Sequence, residues 1–458
     1  MTYYSRVFIM FSIMLGLLIL VGVFQSWSLM LSIVNLCIIS AIMALGVNAQ
    51  WGYAGLFNVG TMGFAALGGL AAMLVSQPPV MVAWALGGQD LLIGFVIFLI
   101  TAVLAYFTFQ YMRKNRLRIF FLLIIITSGV ITGRYFLDPA IATIESVNPA
   151  ITGYLGGFGL PILFSWIIGG FFAAVAAWII GKVALGLRSD YLAIATLGIS
   201  EIIIAFLKNE DWLSRGVKNV TGLSRPVPYE IDLQESEWFI SITRWFYSSA
   251  LENLSSEKIE QVLTSKVIEF STLYVKLCYL GLFLSVLIII LTMSILALNS
   301  PWGRMMRAIR DNETSAAAMG KNIGKRHLQV FVIGSAIVGV AGAMLTTIDG
   351  QLTPGMYNPL RFTFVIWVMV IVGGSGNNLG TVLGGFLIWF VWGEAEPVGF
   401  WLIDLFTNKM SDESFIKLHL AGSAQHMRLF LMGLVLLLVM RFNPGGLLPE
   451  QSRFTKNN

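Results

Sequence analysis

The chain has 458 residues, of which 57% are hydrophobic and 12% are charged, and its mean hydropathy is +0.80. Soluble domains carry about 25% charged residues, so a fraction this low excludes an ordinary soluble protein and indicates that lipid is the surrounding solvent. The formal net charge of +5 is better explained by Lys and Arg in loops on one side of a membrane than by nucleic-acid binding.

Apolar runs long enough to cross a bilayer recur along the whole chain. They predict about twelve helices, at residues 7–24, 28–47, 53–76, 91–112, 117–136, 162–183, 191–208, 273–298, 329–348, 360–374, 377–395 and 427–441. Some of these are short or interrupted by glycine, so about 10–12 crossings are expected. The predicted fold class is all-α, a polytopic helical membrane protein. The first helix is expected to be retained, because no small-x-small cleavage site follows it.

A glycine-rich stretch, GYAGLFNVGTMGFAALGG, occupies residues 52–69. Small residues let membrane helices pack closely. The same glycines also fit a broken helix whose free backbone groups contact a transported solute near the middle of the bilayer. Under the second interpretation, the candidate residues of a translocation pathway in this stretch are Asn58, Gly60, Thr61 and Gly63.

Glu201 is an ionisable residue within the predicted membrane helix 191–208. A carboxylate in lipid is costly unless it has a partner or meets water. Glu201 is therefore expected either to pair with Lys182 or a residue of another helix, or to face a watery vestibule. If Glu201 faces a watery vestibule, it is a further candidate residue of the translocation pathway.

Basic residues in short loops set the orientation of polytopic membrane proteins. They cluster at 113–118, 182–188 and 300–327, and Arg441 begins a tail at 442–458, which predicts that these segments and both termini are cytoplasmic. The hydrophilic segment 209–272, with ten acids and six bases, and a second segment, 396–426, are then extracytoplasmic. Each is either a small ordered cap or a simple linker.

Residues 300–327, SPWGRMMRAIRDNETSAAAMGKNIGKRH, interrupt two apolar runs and are called the island here. They predict one amphipathic helix over 302–320, because Pro301 suits a helix start and Gly320 suits a helix end. One face carries Arg304, Arg307 and Asp311, and the other carries Met305, Ala308, Ile309, Asn312 and Ala316. Such a helix either lies among lipid headgroups or docks in a groove of a partner protein.

The sequence contains no recognisable motif for nucleotide binding, metal binding or catalysis. There is no GxxxxGK[ST] phosphate loop, no zinc-ligand spacing and no catalytic triad. The chain is therefore expected to be no enzyme, to bind no metal and to hold no cofactor of its own.

Several ordered stretches resemble one family. Residues Glu313-Thr-Ser-Ala-Ala-Ala-Met-Gly320 look like the Glu-Ala-Ala…Gly loop of ABC-importer permeases. The wider stretch SPWGRMMRAIRDNETSAAAMG resembles the permeases of the branched-chain amino acid uptake family, in its LivM-type branch. Five further stretches agree in order: GYAGLFNVGTMGF (52–64), LRSDYLAIATLGISEII (187–203), FVIGSAIVGVAGAML (331–345), VMVIVGGSGNNLGTVLGG (368–385) and RFNPGGLLPE (441–450).

The resemblance implies a single transmembrane permease domain over 1–458, in a bacterial cytoplasmic (inner) membrane. It implies four partner subunits or proteins besides lipid: a second homologous permease, two cytoplasmic ATP-binding subunits that use the ATP, and an extracytoplasmic substrate-binding protein. The cargo would be branched-chain or other neutral amino acids. The island would be the coupling element that receives motion from the ATPases, through Arg304, Arg307, Glu313, Ala316, Ala317 and Gly320.

Two alternatives stay open at this point. Urea and short amides are carried by close relatives of this family, so they are an alternative cargo. An ion-coupled secondary transporter is the alternative from another class, and it would need acids or histidines at membrane depth, of which Glu201 is one.

Overall fold

The structure, a computed structural model, describes residues 3–148, 152–248, 256–407, 419–420, 422 and 426–450. In these residues the chain is almost entirely helical. The long helices are α1 (Tyr3–Phe24), α2 (Trp27–Ala54), α3 (Thr61–Ser76), α4 (Met81–Tyr111), α5 (Arg116–Ser146), α6 (Leu163–Ala184) and α7 (Ser189–Asn209). After a short cap come α11 (Ser256–Asn299), α14 (Ile323–Asp349), α15 (Pro359–Gly373), α16 (Asn378–Thr407) and α17 (Met427–Phe442).

The predicted fold class is confirmed: the described residues form an all-α, polytopic membrane protein. Nine of the described helices are long and apolar enough to span a bilayer. Three further helices are shorter, with 16 residues in α3, 15 in α15 and 16 in α17. Each predicted apolar run overlaps at least one of these twelve helices.

Several predicted boundaries are wrong. Helix α4 begins ten residues before the run 91–112, and α5 ends ten residues after the run 117–136. Three further differences concern the break after α2, the length of α11 and the length of α16. The run 53–76 is not one helix, because α2 ends at Ala54 and Gly55, with a φ of +70°, turns the chain before α3. The run 273–298 belongs to a helix of 44 residues that begins at Ser256. The run 377–395 continues through Pro397 to Thr407, so the first part of the predicted loop 396–426 is helical.

The centre of the bundle is α14, which packs against α2, α3 and α6. Glycines lie where these helices cross. A Cβ atom added to Gly68 of α3 would lie 1.9 Å from the carbonyl oxygen of Gly339 on α14. A Cβ atom on Gly339 would lie 2.5 Å from the carbonyl oxygen of Gly169 on α6. Because no side chain separates the backbones, the three helices approach closely, as membrane helices with small residues do.

Helices α4 and α5 form a peripheral hairpin whose main contacts are with each other. Only 11% and 6% of the residues in their most apolar windows are buried, against 78% for α2. Most of the surface of this hairpin is therefore available to lipid, and the hairpin is not part of the central bundle.

One end of the bundle collects both described termini and the island; we call it the island end. Asn377 Nδ2, in the turn between α15 and α16, donates to Tyr3 Oη (2.8 Å) and to the carbonyl oxygen of Pro449 (3.2 Å). Arg310 of the island forms an ion pair with Glu450 at 2.9 Å. These contacts agree with the prediction that the island and both ends of the chain share one side of the membrane.

The opposite end carries the cap, residues 209–248 together with the first turns of α11. It contains α8 (Asp211–Ser214), a 3₁₀ turn at Gly216–Lys218, β1 (Val220–Thr221), α9 (Glu230–Glu235) and α10 (Glu237–Phe246). Strand β1 pairs antiparallel with β2 (Gln351–Leu352), directly after α14. The described part of 209–272 is therefore an ordered cap, one of the two alternatives left open, and the 27 residues of α14, about 40 Å of helix, separate it from the island.

Candidate functional site

The break at residues 55–60 between α2 and α3 is held by buried side chains. Asn58 Nδ2 donates to Gln50 Oε1 (2.8 Å), and Asn58 Oδ1 accepts from the backbone N–H of Gly60 (2.9 Å). Gln50 in turn donates to Ser335 Oγ on α14 (3.0 Å). Asn58 and Gln50 are 2% and 1% exposed. The broken helix is thus a fixed feature of the bundle, connected by hydrogen bonds to its central helix.

The start of α3 packs directly on α7. A Cβ atom on Gly60 would lie 2.4 Å from the carbonyl oxygen of Thr196, and one on Gly63 would lie 2.9 Å from Ser200 Cα. The hydroxyls of Thr61 and Ser200 are buried in this region, and neither has a hydrogen-bond partner among the described residues. Buried hydroxyls without partners cost free energy, so this contact can accept a hydrogen bond from water or from a solute.

A cavity of about 160 Å³ lies next to Met62, between α2, α3, α14, α15 and α16. Most of its lining is aliphatic or methionine, and its polar groups are Ser40, Asp349 and Tyr357. The hydroxyl of Tyr357 is hydrogen-bonded to Thr346 Oγ1 at 2.7 Å. Cavities of about 150 Å³ with apolar walls take a ligand the size of benzene. This cavity is therefore large enough for one branched aliphatic side chain.

Glu201 lies on the outside of the bundle, on the exposed face of α7. That face is otherwise apolar or small, with Tyr191, Ile194, Gly198, Ile202, Ala205 and Phe206. Glu201 forms no ion pair with Lys182 or with any other described residue, and the Lys182 ammonium instead lies 3.7 Å from the centre of the Trp178 ring. The structure thus brings Asn58, Gly60, Thr61 and Gly63 together at the α3–α7 contact and leaves Glu201 on the far side of α7.

The island is not the single helix that its pattern predicts. It forms α12 (Pro301–Asp311) and α13 (Glu313–Ala318), which meet at Asn312. Asn312 Oδ1 accepts from the backbone N–H of Ser315 (3.0 Å) and caps α13, so its backbone leaves the helical region. The two predicted ends are confirmed, since Pro301 occupies the first turn and Gly320 has a φ of +76°.

The apolar face of the island packs against the rest of the chain. Its buried members are Gly303, Met306, Ile309 and Ala316. Of the five residues predicted on that face, only Ile309 and Ala316 are buried; Met305 is half-buried, and Ala308 and Asn312 are exposed. Of the predicted coupling residues, Arg304, Glu313, Ala317 and Gly320 are exposed, whereas Arg307 is half-buried and donates to the carbonyl oxygen of Leu298 (3.1 Å). The surface left for a partner is therefore the outer side of α12 and α13, including Met319, which is 79% exposed.

Arg310 connects the island to the broken helix, and the sequence pattern does not identify it. Its guanidinium donates to the carbonyl oxygen of Gly52, near the end of α2, and forms ion pairs with Glu450 (2.9 Å) and Asp311 (3.0 Å). Burial acts to lower the pKa of Arg310, but the hydrogen bonds and charges of Glu450 and Asp311 outweigh it and raise this pKa above its ordinary value. Arg310 thus stays charged and holds α12, α2 and the tail together.

The partners of Arg310 lie far from it in sequence, which is why they were missed. Glu450 is 140 positions away and occurs in the stretch RFNPGGLLPE, where it looks like an ordinary solvated tail residue. That tail is in fact fixed, since the backbone N–H groups of Leu447 and Leu448 donate to the carbonyl oxygens of Val372 (2.8 Å) and Gly373 (2.9 Å). The glycines of the stretch are the signal that could have indicated close backbone packing.

The family described as "Branched-chain amino acid transport system / permease component" matches residues 140–440 of this chain. That range contains α6, α7, the cap, the island and α14 to α16, but not the break between α2 and α3. No solved structure matches the chain.

Curated relatives match over shorter ranges. The high-affinity branched-chain amino acid transport system permease protein LivM of Escherichia coli is 24% identical over 233 residues, which are 50% of this chain and 50% of that protein. The probable branched-chain amino acid transport permease protein LivM of Methanocaldococcus jannaschii is 30% identical over 158 residues, 34% of this chain and 42% of that protein. The chain thus spans about half the length, or less, of the curated relatives it matches.

Proposed function

The chain belongs to the branched-chain amino acid transport permease family, and from that premise we propose that it is the membrane-spanning subunit of an ATP-driven importer for branched-chain or other neutral amino acids. The family match over 140–440 is the observation that carries the proposal. Under this proposal, the chain itself hydrolyses no ATP. Two separate ATP-binding subunits act on the island, a second homologous permease completes the pathway, and a substrate-binding protein delivers the cargo at the cap end. The island end faces the cytoplasm of a bacterial inner membrane.

The geometry of the island supports coupling to a partner that moves. Helices α12 and α13 lie at one end of the bundle, where Glu313, Ala317 and Met319 are exposed while Met306 and Ile309 fix the island to the chain. A push on the outer side is therefore transmitted and not absorbed by a loose loop. Arg310 carries it to Gly52 at the end of α2, three residues before the break between α2 and α3 begins.

The cavity next to Met62 favours a cargo that has an aliphatic part and a cationic group. Its walls suit a branched side chain, and the Asp349 carboxylate at its edge suits an ammonium group. Urea would gain little from such walls. The unpartnered hydroxyls of Thr61 and Ser200, on the adjacent α3–α7 contact, supply further hydrogen-bonding groups for a zwitterion on its way through.

The exposed face of α7 is an argument for a second permease subunit that packs on this chain. A carboxylate on the outside of a membrane helix is costly in contact with lipid tails. A partner subunit packed along α7 removes that contact and allows water or a polar group to reach Glu201. The nearby Gly198, whose added Cβ would meet nothing within 4 Å in this chain, leaves room for close approach of the partner helix.

Uptake into proteoliposomes tests the proposal directly. The chain is co-purified with its ATP-binding subunits and second permease, and labelled leucine is added with its binding protein. We expect uptake that requires ATP and persists when proton and sodium gradients are abolished. Uptake that needs an ion gradient and not ATP would overturn the ABC assignment and favour the secondary transporter. Urea transport without leucine transport would retain the mechanism and replace the cargo.

The cavity is tested in the same assay with a conservative variant. Asp349→Asn keeps the size of the side chain and removes its charge, so leucine uptake should fall while ATP hydrolysis by the assembled transporter continues. Asp90→Asn on the peripheral α4, an exposed acid without an ion pair among the described residues, is the matched control and should leave uptake unchanged. Equal uptake by the wild type and Asp349→Asn would remove Asp349 from the pathway.

A further inference from the structure

Helix α10 of the cap has three distinct faces. Phe239 and Thr243 are buried against the protein. A second face, with the spacing i, i+4, i+7 and i+8 of one side of a helix, is apolar and exposed, and consists of Trp238, Ile242, Trp245 and Phe246, which are 52%, 42%, 75% and 64% exposed. The third face is polar and exposed, and consists of Glu237, Ser241 and Arg244. Trp238 and Phe246 touch aromatic rings of α11 at one edge of this face, yet all four side chains remain largely exposed. An exposed apolar face of this kind indicates an interaction surface.

Contacts with α11 fix the height of α10. The Phe239 and Phe270 rings stack with centres 5.3 Å apart, and the Trp238 and Tyr274 rings meet edge to face at 6.4 Å. Gln234, just before α10, donates to Ser271 Oγ (3.0 Å). Helix α10 therefore cannot rise away from the level of residues 270–274 of α11.

That level matches the edge of the bilayer expected at the cap end from the direction of Lys276 and the length of α11. Lys276 of α11 extends its ammonium to the carbonyl oxygen of Ser28 (3.0 Å), at the start of α2, as a lysine does when it reaches from an apolar depth toward water. Residue 270 is six positions before Lys276, about 9 Å nearer the cap at 1.5 Å per residue. From there to Asn299, the island end of α11, is about 43 Å of helix, close to the roughly 40–45 Å of a bilayer with its headgroups.

Aromatic residues are exposed at the same height elsewhere in the bundle. Phe24 and Trp27, at the turn between α1 and α2, are 81% and 49% exposed. Trp and Tyr side chains concentrate at the membrane–water boundary because their rings are apolar while the Trp N–H or Tyr O–H stays near water, and Phe beside them adds apolar surface. The exposed face of α10 continues this belt onto the cap.

We propose that α10 is an interfacial helix that lies in the headgroup layer at the cap end, with Trp238, Ile242, Trp245 and Phe246 inserted between lipids. The cap is then fixed by both α11 and the membrane, so the surface it offers to other proteins stays at a set height and tilt. Its apolar face binds the lipid surface and is not a docking site for a protein. The inference depends on the membrane fold and not on transport, so it stands or falls separately from the proposed function.

Fluorescence quenching on the full-length chain tests the insertion. Cys37 is fully buried and is kept, whereas Cys278 is replaced by Ala, and one cysteine is introduced as Ile242→Cys or, on the polar face, as Ser241→Cys. Both positions are exposed, so neither change disturbs packing. Each variant is labelled with bimane and placed in phosphatidylcholine vesicles that contain phosphatidylcholine doxyl-labelled at carbon 5. Soluble iodide is the second quencher.

We expect the label at residue 242 to lose most of its fluorescence to the doxyl lipid and little to iodide, with the reverse at residue 241. Quenching of both labels by iodide alone would show that α10 stands in water and would overturn the proposal. Protection of residue 242 from both quenchers, or protection that appears only when the substrate-binding protein is added, would overturn it in favour of a protein partner.

Discussion

The link from the island to the tail and to α2 through Arg310 leads to the sharpest prediction. The side chains of Arg310 and Glu450 are 24% and 28% exposed, so their ion pair is neither a surface pair nor a fully buried one. Hydrogen bonds to charged groups contribute about 1.5–3 kcal/mol when buried, and exposed pairs contribute about 0–1 kcal/mol. We therefore expect about 1–1.5 kcal/mol from the pair and about 1 kcal/mol from the bond to Gly52, and Arg310→Met should lower the free energy of unfolding by about 2–2.5 kcal/mol.

The measurement is unfolding by sodium dodecyl sulfate in mixed micelles, with a double-mutant cycle. Glu450→Gln is combined with Arg310→Met, and the coupling energy should be about 1–1.5 kcal/mol, because each single variant removes the same ion pair. Arg304→Met is the control: it removes an exposed arginine from the same helix and should change the free energy by less than about 0.5 kcal/mol. Additive effects of the two changes would refute a direct Arg310–Glu450 interaction.

The same variants separate coupling from stability. If Arg310 transmits motion, the assembled transporter with Arg310→Met should hydrolyse ATP at a rate close to the wild type while leucine uptake falls. If uptake and hydrolysis fall in proportion, the residue only stabilises the island, and the transmission route through Gly52 is wrong.

Three further changes and one control variant test the bundle. Asn58→Leu removes the side chain that closes the break and leaves the Gln50 oxygen and a backbone N–H without their partners, so it should cost about 2–4 kcal/mol of unfolding free energy in the micelle assay. Gly68→Val forces a side chain into the Gly339 backbone of α14 and should cost at least about 1–3 kcal/mol, whereas Gly198→Val, where nothing lies within 4 Å, should leave the stability of the isolated chain near the wild type. Equal effects at positions 68 and 198 would contradict the close packing of α3 on α14. Glu201→Gln should unfold like the wild type in the isolated chain but alter uptake by the assembled transporter, because Glu201 lies on the face proposed for the second permease; unaltered uptake would show that this face does not need the carboxylate.

The helices could be predicted from sequence because each apolar run must satisfy its own backbone within the bilayer, and helices do this locally. The residues at which these helices end were harder to predict from sequence. The glycines of residues 52–69 fit both a continuous, closely packed helix and a broken one, and the break at Gly55 depends on hydrogen bonds between Asn58, Gln50 and α14. The same holds for the island, where the Asn312 cap divides a pattern that fits one helix.

The candidate site was predictable only in part. The polar and small residues of α3 do converge on one contact, but the cavity beside Met62 is formed by five helices whose arrangement no local pattern contains. The island was found from its charge, yet its apolar face was expected to meet lipid headgroups or a partner, whereas Ile309 of that face and the neighbouring Met306 pack within the chain. Amphipathicity indicates that a face is covered. It does not tell whether the cover is the chain itself, lipid or another protein.

The central claim is that ATP-binding subunits act on the island from the side of the membrane opposite the cap. Single cysteines at two exposed positions test it: Met319→Cys on the island, 79% exposed, and Val217→Cys on the cap, 70% exposed. In intact cells an impermeant maleimide should label residue 217 and not residue 319. In inside-out vesicles the labelling pattern should reverse. In the assembled transporter, residue 319 should cross-link to an ATP-binding subunit. Labelling of residue 319 from outside intact cells would contradict the account.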